Sequence, residues 1–441
     1  MRRNDYLKHT VSRRALLQAG AGFTIGSAML AGLGATAPVQ AAGKKVIIGA
    51  FADGGLTPFK EKIIPLAKAA GFDIEYLEDE YGVTLEKWFA DAKNGAGQYD
   101  LYLLDDPWVP QFGAANVLED LAAAGIDGDD KDWIGSLIDM GYWPPRQGPR
   151  VKGFESVKPA LISVPFIGDL QTLTYRTDVF PDGPPATWDD VISKGKKGVA
   201  DGKIKYPVVF RGVTGNPIVT SWFPIFLSSG GQFFDDKWNV TFNSAAGKDS
   251  AEFFVGAMKQ NAPAGVVEFD SDQEGAAILG GDAGAIIQYS GNALKANDPA
   301  QSKVSDKLGF SVVPKRTSAI AQIGIWIASV PKSAPNKANA IEFLKWYVSP
   351  EIQAKLAEAG SIPVKRSGFA VKDPGNKLIP VALQQLDSGA QPRPRTPDWA
   401  KVEELLGIQL NKALQAGKGG GDALDVAAGQ VKDYLTQAGY Y

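Results

Sequence analysis

Short apolar runs alternate along the chain with segments whose apolar positions recur at helical spacing. Lys45-Val46-Ile47-Ile48-Gly49-Ala50-Phe51 predicts a buried strand, and 57–70, entered through Gly54, Gly55 and Pro58 and ended by Gly71, predicts a helix. The pair then recurs. Residues 73–77 read as a strand, 84–92 as a helix, 101–104 as a short apolar strand, and 109–115 as a helix following Asp105-Asp106-Pro107-Trp108. Such alternation builds a parallel sheet with helices on both faces. In sheets of this kind ligands bind beyond the carboxyl ends of the strands, where Asp53 and 105–108 fall.

Residues 143–159, rich in Pro, Gly and basic side chains, predict an exposed loop before a strand at 160–165, where a second unit begins. That unit holds predicted helices at 188–194, 221–229 and 244–260, with strands at 207–210 and 282–289. Strands at 308–313 and 323–330 follow, then helices at 337–347 and 350–359. Two more helices, 399–416 and 422–437, flank the glycine-rich run Gly417-Lys418-Gly419-Gly420-Gly421. No internal repeat or extended low-complexity tract interrupts this order beyond residue 41.

The first forty residues bear on the compartment. Arg2, Arg3, Lys8, Arg13 and Arg14 precede a charge-free stretch, 15–41, rich in Ala, Gly and Leu. This is the layout of a signal peptide; Ser12-Arg13-Arg14-Ala15-Leu16-Leu17 matches a twin-arginine export signal, and Val39-Gln40-Ala41 offers small residues for cleavage after Ala41. A membrane anchor is the competing reading, against which stands the weak apolarity of so much Gly and Ala. Removing 1–41 takes away five basic residues and one acidic one, so the 46 Lys and Arg become 41 and the 49 Asp and Glu become 48, a net charge of −7. An acidic surface with scattered charge argues against nucleic acid as a partner, since phosphates call for clustered Lys and Arg. The longest later apolar run, 319–330, is a buried strand by length, far short of the ~20 residues that span a bilayer.

Two absences narrow the chemistry. The chain has no Cys, and its single His, His9, lies within the predicted signal. Cysteine nucleophiles, Ser-His-Asp triads, disulfides, and thiolate or imidazole metal sites are therefore excluded from the processed protein. No cofactor is expected: the common metal ligands are missing, and no G-x-G-x-x-G follows a strand.

Several segments are distinctive in combination. Tyr99-Asp100-Leu101-Tyr102-Leu103-Leu104-Asp105 precedes Trp108 and Val117-Leu118-Glu119-Asp120-Leu121. Later come Val164-Pro165-Phe166, Leu173-Thr174-Tyr175-Arg176-Thr177-Asp178-Val179-Phe180 and Pro185-Ala186-Thr187-Trp188-Asp189-Asp190. Trp222-Phe223-Pro224 with Gly230-Gly231, Gly281-Asp282-Ala283-Gly284-Ala285-Ile286 before Tyr289-Ser290-Gly291, and Ala340-Ile341-Glu342-Phe343-Leu344-Lys345-Trp346-Tyr347-Val348-Ser349-Pro350 continue the set. With Pro394-Arg395-Thr396-Pro397-Asp398-Trp399 and Asp422-Ala423-Leu424 as its ending, the chain resembles the family-1 extracellular solute-binding proteins, the maltose-binding-like group. That resemblance implies an α/β fold of two discontinuous lobes joined by a hinge, periplasmic-binding-protein-like (type II). Lobe 1 is expected at 42–168 plus 314–365, and lobe 2 at 169–313 plus 366–441. It further implies closure over a small ligand and docking onto ABC permease subunits of the inner membrane, with the protein in the periplasm. A monomer is expected. In one respect the chain departs from the maltose-type pattern, whose lobe-one loop sets a basic residue beside its acid; here the loop is Asp105-Asp106-Pro107-Trp108, which argues against maltose itself.

Sugar binding needs flat apolar surfaces for ring C–H faces together with charged or amide groups for hydroxyls. Carried over residue by residue, the pattern places ligand contacts at Asp53, Asp105, Asp106 and Trp108 in lobe 1 and at Asp169 and Gln171 where the chain crosses the hinge. Trp222, Gln288, Tyr289, Asn292, Trp326, Arg395 and Trp399 complete the expected site. Each has a plainer alternative: Asp53 shapes a turn, Asp105 and Asp106 cap a helix, Trp222 and Trp326 are core, and Arg395 is a solvated loop charge. Arg395 otherwise forks onto a hydroxyl pair or an anion, so its role separates a neutral from a charged sugar. The expected cargo is a carbohydrate: an oligosaccharide, polyol or glycerol-linked sugar. An enzyme is not expected. A glycosidase using Asp105 and Asp106 is the alternative, though adjacent carboxylates rarely flank one ligand atom from opposite sides. A ligand-binding signalling module is another.

Overall fold

The structure, a computed structural model, describes residues 43–441. The predicted signal at 1–41 lies outside the described residues. Thirteen strands are assigned among the described residues. In chain order these are β1 Lys44–Phe51, β2 Phe72–Asp79, β3 Leu101–Asp105, β4 Tyr142–Trp143, β5 Ala160–Leu161, β6 Val164–Ile167 and β7 Thr172–Arg176. The remainder are β8 Tyr206–Val209, β9 Ala283–Gln288, β10 Leu308–Ser311, β11 Ala321–Gln322, β12 Trp326–Ser329 and β13 Ala390–Gln391.

The first sheet has the order β2-β1-β3-β12-β6. Its β1 runs parallel to β2 and β3, as the βαβ alternation predicts. It is not wholly parallel: β12 inserts between β3 and β6 and is antiparallel to both. This strand arrives from the other sheet without a helical crossover, so nothing turns it to the parallel direction. The second sheet, β10-β7-β9-β8, is mixed as well, with β7 antiparallel to β10 and β9 and β8 parallel to β9. Each sheet carries its own hydrophobic core. Val46, Ile48, Trp88, Leu103 and Ile327 are buried around the first, and Trp222, Phe226, Phe254, Trp399 and Leu410 around the second. Two sheets with separate cores make the two lobes of the fold.

Between them the chain runs as neighbouring extended segments. The Gln171 amide donates to the carbonyl of Gln322 at 3.0 Å, that of Gly324 to Asp169 at 3.2 Å, and that of Ile323 to Gln391 at 2.9 Å. These bonds form the hinge, and they divide the apolar run 319–330 into two short strands. At the bend sits Gly324, where a Cβ would lie 2.6 Å from the Tyr289 ring, so no side chain is accommodated.

Two further differences are local. The expected exposed loop 143–159 begins in the core: Trp143 is buried and meets Phe154 with ring centroids 5.2 Å apart. The expected helix 244–260 is present from Ala245, capped by Ser244, and differs only inside its length, where Phe254–Met258 form a π-turn before the α-helix resumes at 259–260. Polar stretches of the C-terminal half hide a helix, Ser271–Leu279, that apolar spacing does not announce; Asp270 and Gln273 close its first turn as a capping box.

Candidate functional site

A cleft of about 750 Å³ opens between the two sheets. Its first wall is built on strand ends. Phe51 closes β1 and packs on Trp326, the first residue of β12, with ring centroids 4.4 Å apart. Register places Trp326 directly opposite Asp105, the last residue of β3, so an indole and a carboxylate reach the cleft side by side. Tyr81 opens the helix Tyr81–Asn94 just past β2, lies 42% exposed at the cleft, and donates its hydroxyl to Asp105 Oδ2 at 2.8 Å. Asp53 lines the cleft and also shapes a turn: its Oδ1 accepts from the Gly55 amide at 2.6 Å. Burial holds the Asp53 carboxyl above its ordinary range.

Arg393 joins the walls. This guanidinium is 3% exposed, donates from Nη1 to Asp105 Oδ2 at 3.0 Å, and from Nη2 to Oδ1 of both Asp105 and Asp106. Burial opposes its charge, yet the two carboxylates outweigh burial and hold the guanidinium above its ordinary value. Burial pushes the Asp106 carboxyl up against the pull of Arg393, and among the described residues Asp106 Oδ2 finds no hydrogen-bond partner.

The second wall centres on Arg211, which follows β8. Its Nε donates to Asp270 Oδ1 at 2.9 Å and its Nη2 to Asn216 Oδ1 at 3.3 Å. Asn216 in turn donates from Nδ2 to Glu403 Oε1 at 3.0 Å; burial has pushed that carboxyl up to about 7. Gly215, at φ 99°, adopts the left-handed backbone that turns the chain into the helix Asn216–Ser228 and so places Asn216. Beside Arg211 lies Glu274, 1% exposed, whose carboxyl burial pushes up to about 8. Gln288 donates to Thr174 Oγ1 at 2.8 Å, and its own Oε1 has no hydrogen-bond partner among the described residues.

Of the residues expected from sequence, Asp53, Asp105, Asp169, Gln288, Tyr289 and Trp326 line the cleft. The others stand elsewhere. Asp106 and Trp108 lie one layer behind the wall, the indole against Phe51 and Tyr81 at 5.5 and 5.3 Å. Gln171 is buried and donates to the Thr220 carbonyl at 2.7 Å. Trp222 is wholly buried, hydrogen-bonded to Ser250 Oγ at 3.0 Å, and Trp399 is packed edge-on against Phe233 at 5.1 Å. Arg395 is pinned on backbone, with Nη1 on the Asp106 carbonyl at 2.7 Å and Nη2 on the Met140 carbonyl; burial lowers its guanidinium to about 10. The Asn292 side chain lies outside the described residues. Pattern reading did not find Tyr81, Arg211, Asn216, Asp270, Glu274 and Arg393. Gly215-Asn216-Pro217 and the acidic start of the helix at 271 were the local signals for three of them.

Carboxyls, two guanidinium groups and an aromatic face converge here from both lobes, the arrangement that captures a small polar solute. A family model for bacterial extracellular solute-binding proteins matches residues 21–354. The chain belongs to this family. A probable amino-acid ABC transporter periplasmic-binding protein of Sinorhizobium fredii is 25% identical over 385 residues, 85% of each chain. A mannitol-binding protein of Pseudomonas aeruginosa is 23% identical over 357 residues, 76% of each. Among solved structures, a solute-binding protein of Agrobacterium radiobacter with ribitol aligns at a TM-score of 0.75 and 23% identity, covering 89% of this chain and 99% of that one. One of Agrobacterium vitis with D-mannitol aligns at 0.74 and 22%, covering 90% and 99%. At such identities the structural likeness establishes the two-lobed fold, and the family match establishes solute binding.

Proposed function

We propose that this protein is the exported binding subunit of an ABC importer and captures a neutral polyol or small sugar by closing lobe 1 (42–168 with 314–365) against lobe 2 (169–313 with 366–441). One observation carries the reading. Trp326 sets an aromatic face beside Asp105 on one wall while Arg211, Gln288 and Tyr289 stand on the other, so a ligand bonded to both walls favours the closed state. Asp53 and Asp169 supply further acceptors. The family's function supports permease subunits as partners and the periplasm as the place of action; a monomer and a binder that leaves its ligand unchanged belong to the same reading.

Charge favours neutrality. Asp53, Asp79, Glu80, Asp105, Asp169, Asp270, Asp272 and Glu274 line the cleft, against Arg211, Lys295 and Arg393. Both guanidinium groups are already paired with carboxylates, so a phosphate or carboxylate ligand meets acid without an uncommitted Arg fork. Arg395, the residue expected to signal an anionic sugar, is spent on carbonyls. The amino-acid reading attached to the Sinorhizobium relative is weaker here for the same reason.

Thermal unfolding against ribitol, D-mannitol, maltose and the amino acids tests this. Ligand at 100 times its Kd stabilises by about 2.7 kcal/mol, a rise of about 3 °C for roughly 400 residues. A rise with amino acids and none with polyols or sugars overturns the assignment.

A further inference from the structure

Glu274 stands apart from every other buried acid in the cleft. It projects from the helix Ser271–Leu279, lines the cleft, and is 1% exposed. Among the described residues its Oε1 has no hydrogen-bond partner. The other cleft acids that are buried or half-buried are engaged: Asp105 by Arg393 and Tyr81, Asp270 by Arg211, Asp53 by the Gly55 amide, Asp79 by Lys87 and Asp169 by the Leu170 amide, while Glu80 and Asp272 are exposed to water. A buried carboxyl with an unbonded oxygen costs stability in proportion to its charge, and folds do not retain it in a pocket wall for packing alone. Leu or Met would fill the same volume at no such cost.

We propose that Glu274 is a specificity-determining residue of the binding cleft, whose carboxyl group hydrogen-bonds a ligand hydroxyl in the sector bounded by Arg211, Asp270 and Asn216. This inference rests on the polyol reading and names the group that makes it selective. Arg211 and Asp270 cancel one another, so with Glu274 protonated the sector is electrically neutral. A protonated carboxyl offers one donor and one acceptor, which complements a hydroxyl; a carboxylate or phosphate on the ligand meets Asp270 instead. Burial supplies the uncharged state: it pushes the carboxyl up to about 8, helped by Asp270 and opposed by Arg211. The other ionisable groups on elements packed against this helix are Tyr206 on β8, Tyr289 at the end of β9, and Lys295 on the helix Ser290–Ala296. Asp272 lies on the helix itself.

The sign follows. Above about pH 8 the carboxyl ionises, loses its donor and sets a second negative charge beside Asp270, so affinity for a neutral ligand falls as pH rises. The test is titration calorimetry of the intact protein with ribitol and with D-mannitol at pH 6.5 and 9.5, for wild type, Glu274→Gln and Glu274→Ala. Wild type is expected to weaken at least fivefold between the two pH values; Glu274→Gln keeps its affinity within twofold across them, and Glu274→Ala binds at least tenfold more weakly at pH 6.5. An unchanged Kd for Glu274→Ala, or a pH dependence that survives in Glu274→Gln, overturns the inference. Carbon-13 NMR of glutamate-labelled protein, assigned by comparison with Glu274→Gln, separates the two layers. A Glu274 carboxyl that titrates near pH 8 in a protein that binds neither polyol counts against the polyol reading and supports the uncharged acid. One that titrates in the ordinary carboxylate range overturns the inference whatever is bound.

Discussion

Replacing Arg393 by Ala removes the single cation that both Asp105 and Asp106 share. The two carboxylates are 5% and 0% exposed, and among the described residues Asp106 Oδ2 already lacks a hydrogen-bond partner. Removing one member of a buried ion pair costs about 3–5 kcal/mol, because the charge left behind has lost its water and gained nothing. With an unfolding entropy of about 2.1 cal/mol/K per residue over roughly 400 residues, the melting temperature falls by about 4–6 °C. Acidity modulates the loss. Asp106 is held above its ordinary value by burial, and without Arg393 it rises further, so it takes up a proton as pH falls and the unpaired charge disappears. Hence the deficit of Arg393→Ala, read by circular-dichroism melting, is expected to be largest at pH 8 and to shrink towards pH 5. Adding Asp106→Asn to the variant is expected to recover part of the loss at pH 8. A deficit under 1 °C at pH 8, or one that grows on acidification, refutes the assignment of Arg393 as the clamp between β3 and the C-terminal segment.

Trp326→Ala strips the half-buried aromatic face backed by Phe51, and calorimetry with D-mannitol is expected to show Kd raised about 10- to 100-fold, the equivalent of exposing one large apolar side chain. Trp222→Ala, by contrast, is expected to lower the melting temperature by about 4–6 °C, a core loss of about 3–5 kcal/mol, while leaving Kd within twofold. Glu403 has its carboxyl raised from 4.5 to about 7, so the folded state holds a proton that the unfolded chain releases, and this group's contribution is full below pH 4.5 and lost by pH 7. Glu403→Gln keeps the acceptor for Asn216 without the charge; the melting temperature of the variant relative to wild type is expected to rise between pH 4.5 and 7.5, and a flat difference refutes the burial argument.

What the sequence shows and what it hides divides along sequence separation. Strand 45–51, the helices Lys337–Tyr347 and Trp399–Ala416, and the placement of Asp53 and Asp105 at strand ends follow from periodicity, which is local. The direction of β12 does not, because a four-residue apolar strand carries no record of the sheet it joins. Tryptophans illustrate the same limit within the site. Trp222 and Trp326 sit in equally apolar runs, yet Trp222 is buried inside the helix Asn216–Ser228 and Trp326 begins a strand facing the cleft. Charge is harder still. Arg393 meets Asp105 across 288 positions, Asn216 meets Glu403 across 187, and Arg211 meets Asp270 across 59. No composition or spacing rule links such partners, whereas Arg395, two residues from Arg393 and equally basic, ends on the carbonyls of Asp106 and Met140. The guanidinium that faces the cleft is the one hydrogen-bonded to carboxylates, whereas Arg395, 4.0 Å from Asp106 Oδ2, donates to backbone carbonyls. Pairing therefore decides which charges of this cleft are available to a ligand: it occupies both lining guanidinium groups, Arg211 and Arg393, and leaves a surface richer in acid than in base, on which hydroxyl groups, rather than anions, are the complementary chemistry.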